Sequence, residues 1–111
     1  MKRATSIRST RLADLIMREL ARMLEEDVTD PRLELVTISG VALNADLSVA
    51  RVLYTLTGDA DRLQQAAAAL EQAKGFLRGH LGRRLRIKFV PELRFERDTF
   101  LEDMVYARPD A

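Results

Sequence analysis

The chain has 111 residues, 47% of them hydrophobic and 32% charged, with a formal net charge of +1 and no cysteine. That length suits one domain around one core, the hydrophobic share is too high for a disordered polymer, and no apolar run reaches the roughly 18 residues that span a bilayer. The lack of cysteine excludes a disulfide framework, thiolate catalysis and cysteine-based zinc sites, and it is compatible with a cytoplasmic protein.

The small net charge hides strong segregation. Residues 1–24 carry a net +4, residues 25–71 a net −6, residues 72–97 a net +6 and residues 98–111 a net −3. Two basic blocks flank an acidic one, so folding can build one basic and one acidic face, which is an electrostatic footprint for a polyanion. The first 23 residues are rich in Arg, Ser and Thr, as transit peptides are. Asp14, Glu19 and a helical pattern that runs unbroken to Leu24 argue instead for a structural helix.

That helix is expected from about Ser9 to Glu26, with Ser9 or Thr10 as cap and Leu12, Leu15, Ile16, Leu20, Met23 and Leu24 as its apolar stripe. Arg8, Arg11, Arg18 and Arg22 fall in an arc of about 80° beside the stripe. Asp14 and Glu26 stand four residues from Arg18 and Arg22, which leaves Arg3, Arg8 and Arg11 as the free cations. Asp30-Pro31-Arg32 closes the segment as a turn. A strand from about Glu34 to Leu43 follows, with a phase change at Ser39-Gly40 that a bulge would repair. Asn44-Ala45-Asp46 reads as a hairpin turn, and a second strand runs from about Ser48 to Leu56.

Asp59 or Asp61 caps a second helix with the stripe Leu63, Ala66, Ala67, Leu70 and Ala73. Gly75 interrupts it, and a short third helix carries Leu77 and Leu81 to about Gly82. Residues 85–95 alternate apolar and charged, which predicts a third strand with Phe89 and Phe95 in the core and an edge or bulge at Pro91. The last dozen residues are weakly patterned and acidic, and a flexible tail is expected over 99–111. The order α-β-β-α-α-β, with amphipathic strands covered on one face, predicts a two-layer α+β domain over residues 1–98.

Catalytic chemistry has little to stand on. His80 is the only histidine and has no partner at metal-site spacing. Glu25-Glu26-Asp27 reads as a solvated helix end, and no glycine-rich phosphate loop follows a strand. The chain is therefore expected not to be an enzyme. Polyanion binding has more support: Lys74, Arg78, Arg83, Arg84, Arg86 and Lys88 cluster within fifteen residues and can reach phosphates. With Phe76, Phe89 and Phe95 read as core, stacking on bases is expected to be limited.

The element order with a glycine between the second and third helices is similar to a type II KH domain. KH domains clamp RNA with a Gly-x-x-Gly loop; here the corresponding stretch reads Ala73-Lys74-Gly75. An Ala-x-Gly kink in that place resembles the ribosome-binding factor A family. So do Asp30-Pro31-Arg32, the stretch Asp46-Leu47-Ser48-Val49-Ala50-Arg51-Val52, Ala73-Lys74-Gly75-Phe76-Leu77-Arg78, and Val90-Pro91-Glu92-Leu93-Arg94-Phe95-Glu96-Arg97-Asp98. The resemblance covers about residues 3–98, with these stretches in the expected order.

The resemblance implies a monomeric bacterial-type assembly factor of the cytoplasm. It would bind the immature small (30S) ribosomal subunit and assist late maturation of 16S rRNA, including in the cold. A GTPase that promotes its release is implied, and no nucleotide or metal. On this reading Arg3, Arg8, Arg11 and the cluster Lys74, Gly75, Arg78, Arg83, Arg84, Arg86 and Lys88 meet RNA, while Asp30, Pro31, Arg32, Asp46 and Ala73 shape turns and the kink. The alternatives are a general KH-like RNA-binding module and a protein-interaction module that uses the acidic face.

Overall fold

A computed structural model describes residues 7–106. Arg3 and the last five residues of the expected tail lie outside the described residues. The elements are α1 (Ile7–Glu26), a 3-10 turn (Pro31–Leu33), β1 (Thr37–Leu43), β2 (Val49–Thr55), α2 (Ala60–Leu85), β3 (Glu92–Arg97) and α3 (Thr99–Tyr106). The sheet order is β1-β2-β3, with β1 antiparallel and β3 parallel to β2. One sheet face carries Ile38, Ala50, Val52, Tyr54 and Leu93 into a core shared with Ile16, Leu20, Met23, Leu70, Leu77 and Leu81 of the helices. On the open face, Arg51 pairs with Glu96 across two strands at 2.8 Å. This is the expected two-layer α+β domain.

Local chemistry explains most boundaries. The register slips between Ile38 and Gly40, so Ile38 opposite Tyr54 and Val41 opposite Val52 end on one face. That is the bulge the phase change required. In the hairpin, Asn44 Oδ1 accepts from the Val49 amide at 2.9 Å and Asp46 Oδ1 from the Ser48 amide at 3.1 Å. Asp59 caps α2 by accepting from the Arg62 amide at 2.9 Å. Asp30 accepts from the Arg32 amide at 2.9 Å and caps the 3-10 turn, and Arg32 reaches Gln72 at 2.8 Å, so the turn is pinned to α2.

Four expectations change. The first helix has already begun at Ile7, so Ser9 sits buried inside it rather than capping it. The first strand starts at Thr37, because Leu35 takes a left-handed φ of 68° as the chain leaves the 3-10 turn. Helical hydrogen bonding runs unbroken through Gly75, so the second and third helices are one helix of 26 residues. Its buried stripe of Ala66, Ala69, Leu70, Leu77 and Leu81 passes the glycine in step, and burial of that stripe outweighs one poor helix former. Helix α2 then runs on to Leu85, and β3 begins only at Glu92.

The segment from residue 99 begins with a helix. Asp98 accepts from the Leu101 amide at 2.9 Å and from the Ser39 hydroxyl at 2.8 Å. One turn on, the buried Glu102 carboxylate takes the Leu56 amide at 3.3 Å and the Arg97 guanidinium at 2.7 Å. These bonds tie α3 to the end of β2 and to β3.

Helices α1 and α2 are joined by a charge network. Glu19 faces Arg22 on its own helix and Arg84 of α2 at 3.2 Å, and Arg22 Nη2 lies 3.2 Å from His80 Nε2. Arg22 also pairs with Glu26 and Asp27. The hydrogen-bonded Arg22 guanidinium, with Arg84 behind it, holds the Glu19 carboxyl below the usual glutamate range against the opposing effect of burial. Folding lowers this pKa, so the charged carboxylate contributes stability above the unfolded value of about 4.3, and that contribution disappears as pH falls through the folded value. Replacing Glu19 with Gln is therefore expected to lower the urea midpoint at pH 7. The difference from the parent should start to narrow below about pH 5 and vanish in acid; a gap independent of pH would contradict it.

Candidate nucleic-acid interface

The contacts Glu19–Arg84 and Arg22–His80 show that α1 and α2 run antiparallel. The first turns of α1 therefore extend past Arg84 and beyond the end of α2 at Leu85. Arg8 and Arg11 lie about 17 and 12 Å up the helix from Glu19, at 1.5 Å per residue. One end of the molecule thus gathers Arg8, Arg11, Arg83, Arg84, Arg86 and Lys88. The other end holds the acidic close of α1, the Asp30 turn and the start of α2 with Asp59 and Asp61. Charge segregation along the sequence has become segregation along the helix axes.

The expected binding residues separate into three groups. Arg8, Arg11, Arg83 and Arg86 are exposed and make no ion pair or side-chain hydrogen bond to the described residues, while Lys88 is exposed with its ammonium 5.6 Å from the Phe89 ring centroid. Arg84 and Lys74 are engaged by Glu19 at 3.2 Å and Glu71 at 2.9 Å. Arg78 donates to the carbonyls of Val90 at 2.7 Å and Pro91 at 3.0 Å, so it fastens the chain after α2 to the helix. Lys74 and Gly75 stand about 15 Å along the helix from Arg84. Beside them, Ala73 and Phe76 line a recess with Asp27 and Asp30, an acidic neighbourhood. The cluster expected over Lys74–Lys88 is therefore not one continuous basic patch.

The alternation over 85–95 concealed one exposed aromatic, Phe89, and Phe76 on α2 was also read as core. Phe89 is 82% exposed and Phe76 49% exposed, so neither is core; Phe95 does pack against it. Phe76 stacks on His80 with ring centroids 5.8 Å apart. A signal was present in the sequence: Leu77, Leu81 and Leu85 continue the helical stripe at four-residue steps and compete with the two-residue pattern that starts at Leu85.

Three features of the helix pair run against local stability. Arg86 ends α2 with φ 56° and ψ 42°, a left-handed position that glycine usually takes. Gly75 has no positive φ, and a Cβ there would meet nothing within 4 Å, so alanine would fit. Arg8 and Arg11 stand near the start of α1 and Glu25 and Glu26 at its end, the order that opposes the helix dipole. Residues that break local rules without structural need are candidates for function.

A small KH-like α+β domain with a basic, partly strained end belongs to the nucleic-acid-binding class of folds. The family model for ribosome-binding factor A matches residues 8–108. Ribosome-binding factor A of Beutenbergia cavernae is 47% identical over 92 residues, which are 83% of this chain and 58% of that protein. The Thioalkalivibrio sulfidiphilus protein is 41% identical over 95 residues, 86% of this chain and 74% of that protein. Among solved structures, the crystal structure of ribosome-binding factor A from Thermus thermophilus matches with a TM-score of 0.72 and 31% identity, covering 80% of this chain and 93% of that one. A homology model of the Thermus thermophilus ribosome-binding factor A, fitted into the cryo-electron-microscopy map of a complex of that factor with 30S, matches with a TM-score of 0.63 and 32% identity, over 76% of this chain and 88% of that one. The chain belongs to the ribosome-binding factor A family.

Two substitutions separate strain from need. Gly75→Ala is expected to raise stability by about 0.5–1 kcal/mol, because it removes the entropic cost of a mid-helix glycine. Arg86→Gly is expected to add about 1 kcal/mol by relieving the left-handed residue. Urea denaturation checks both, and a loss of stability from either would contradict the unstrained fit of alanine or the strain at Arg86.

Proposed function

We propose that this chain binds the small ribosomal subunit during assembly and assists late maturation of 16S rRNA. The observation that carries the reading is its family membership, joined to the relative fitted into a complex with the 30S subunit. The basic end supports it physically. Arg8, Arg11, Arg83, Arg86 and Lys88 supply exposed cations with no carboxylate partner among the described residues, on one end of the domain, which suits phosphate contacts. Arg3, five residues before Arg8, extends the same group in sequence.

Arg84 and Lys74 take part only by exchanging carboxylate partners for phosphate. Arg78 acts on the mount rather than on RNA. Gly75 leaves the exposed face of α2 bare, where a backbone can approach closely. The protein works as a monomer in the cytoplasm, without nucleotide or metal, and a ribosome-associated GTPase promotes its departure when maturation completes.

Co-sedimentation with isolated small subunits, large subunits and naked ribosomal RNA across a salt series tests this. Binding confined to small subunits is expected, with log affinity falling against log salt at a slope of about −3 to −5 for roughly four to six neutralised phosphates. Equal binding to all three partners would reduce the chain to a general RNA-binding module. Salt-insensitive binding would turn attention to the acidic end and a protein partner.

A further inference from the structure

We infer that Phe89 is a stacking platform for an unpaired base of the bound RNA, with Lys88, Arg83 and Arg86 holding the phosphates beside that base. The inference rests on the RNA-binding reading above and names a contact that reading leaves open. Phe89 is a large apolar side chain 82% exposed to solvent, at the basic end of the domain. Its exposure does not come from a loose loop. The Arg86 and Ile87 amides both close on the Gly82 carbonyl, the latter at 3.3 Å. Arg78 grips the carbonyls of Val90 and Pro91 at 2.7 and 3.0 Å, and Pro91 is fully buried. Val90 packs so tightly on the helix that a Cβ at Gly82 would lie 3.0 Å from its Cγ2. The ring is thus displayed from a fixed mount, and little freedom is lost when a flat partner lands on it.

The surroundings select the partner. The Lys88 ammonium lies 5.6 Å from the ring centroid, and Arg83 and Arg86 are exposed without carboxylate partners among the described residues. An aromatic ring with the Lys88 ammonium over it and two exposed arginines nearby in the chain matches a base with its flanking phosphates, the pairing that recurs in single-strand recognition. A base inside a duplex offers no open face, so the segment bound here is single-stranded, bulged or terminal. Phe76 does not qualify: it is less exposed, already stacks on His80, and lines a recess with Asp27 and Asp30 where a phosphate would be repelled.

The test compares Phe89→Leu, Phe89→Tyr and Phe89→Trp for affinity to isolated small subunits across a salt series. Phe89→Leu keeps apolar bulk and loses the π face. Stacking predicts about 5- to 150-fold weaker binding for it, recovery with Tyr and Trp, and an unchanged salt slope. Arg83→Gln should instead reduce the slope by about one. Ultraviolet crosslinking of the Phe89→Trp protein to the subunit should join residue 89 to RNA. Full affinity in Phe89→Leu, or a crosslink to a ribosomal protein, would overturn the inference while leaving small-subunit binding intact. If the parent chain fails to bind small subunits at all, it is the proposed function that falls, and the inference goes with it. Because the ring is exposed, the urea midpoints of all three variants should match the parent.

Discussion

Arg78 takes the carbonyls of Val90 and Pro91, and the arrangement of the basic end depends on that grip. Helix α2 ends at Leu85 and β3 begins at Glu92, so six residues must turn the chain and deliver it into parallel register beside β2. A planar guanidinium donating two bonds fixes both position and orientation of the strand's approach. The left-handed Arg86 starts the turn, the bare Gly82 admits Val90, and Pro91 enters the core without needing an amide partner. What remains outside is Arg83, Arg86, Lys88 and Phe89. One cation serves the structure so that its neighbours can be presented.

The same division explains why the cationic residues of one stretch have different roles. Sequence alone counts Lys74, Arg78, Arg83, Arg84, Arg86 and Lys88 as one cluster, because each carries the same charge within fifteen residues. Which of them stay free is decided by neighbours in the fold: Glu19 from α1 takes Arg84, Glu71 takes Lys74, and two carbonyls take Arg78. No spacing rule announces a partner sixty-five residues away, as Glu19 is from Arg84. The free cations of α1 were easier to read, since Asp14–Arg18 and Arg22–Glu26 are four-residue pairs within one helix and both form.

The fold was legible where a single period ruled. Helix α1, the hairpin and the bulge between Ile38 and Gly40 follow from unambiguous stripes and a phase change. It was misread where two periods overlapped. Leu85 belongs both to the helical series Leu77, Leu81, Leu85 and to the alternating series that leads to Phe89, and only the hydrogen bonds to Gly82 and Arg78 decide between them. That misreading hid Phe89 in a core it never enters. Gly75 was read as a boundary from its poor helix propensity and from the resemblance to a family with an Ala-x-Gly kink, whereas the buried stripe on either side carries the helix through it. The start of α3 rests on Asp98 and Glu102, whose partners Ser39 and Leu56 lie far back in the chain.

The proposed function requires that the end built from the start of α1 and the close of α2 meet the ribosomal subunit, while the opposite end stays in solvent. Hydrogen–deuterium exchange of the protein, free and bound to isolated small subunits, tests it most directly. The account predicts slowed exchange over residues 8–12 and 83–90 on binding, with the turn at Pro31–Leu33, the Gly58–Asp61 loop and α3 unchanged. Protection concentrated at the turn, the Gly58–Asp61 loop or α3, with the basic end still exchanging freely, would contradict it.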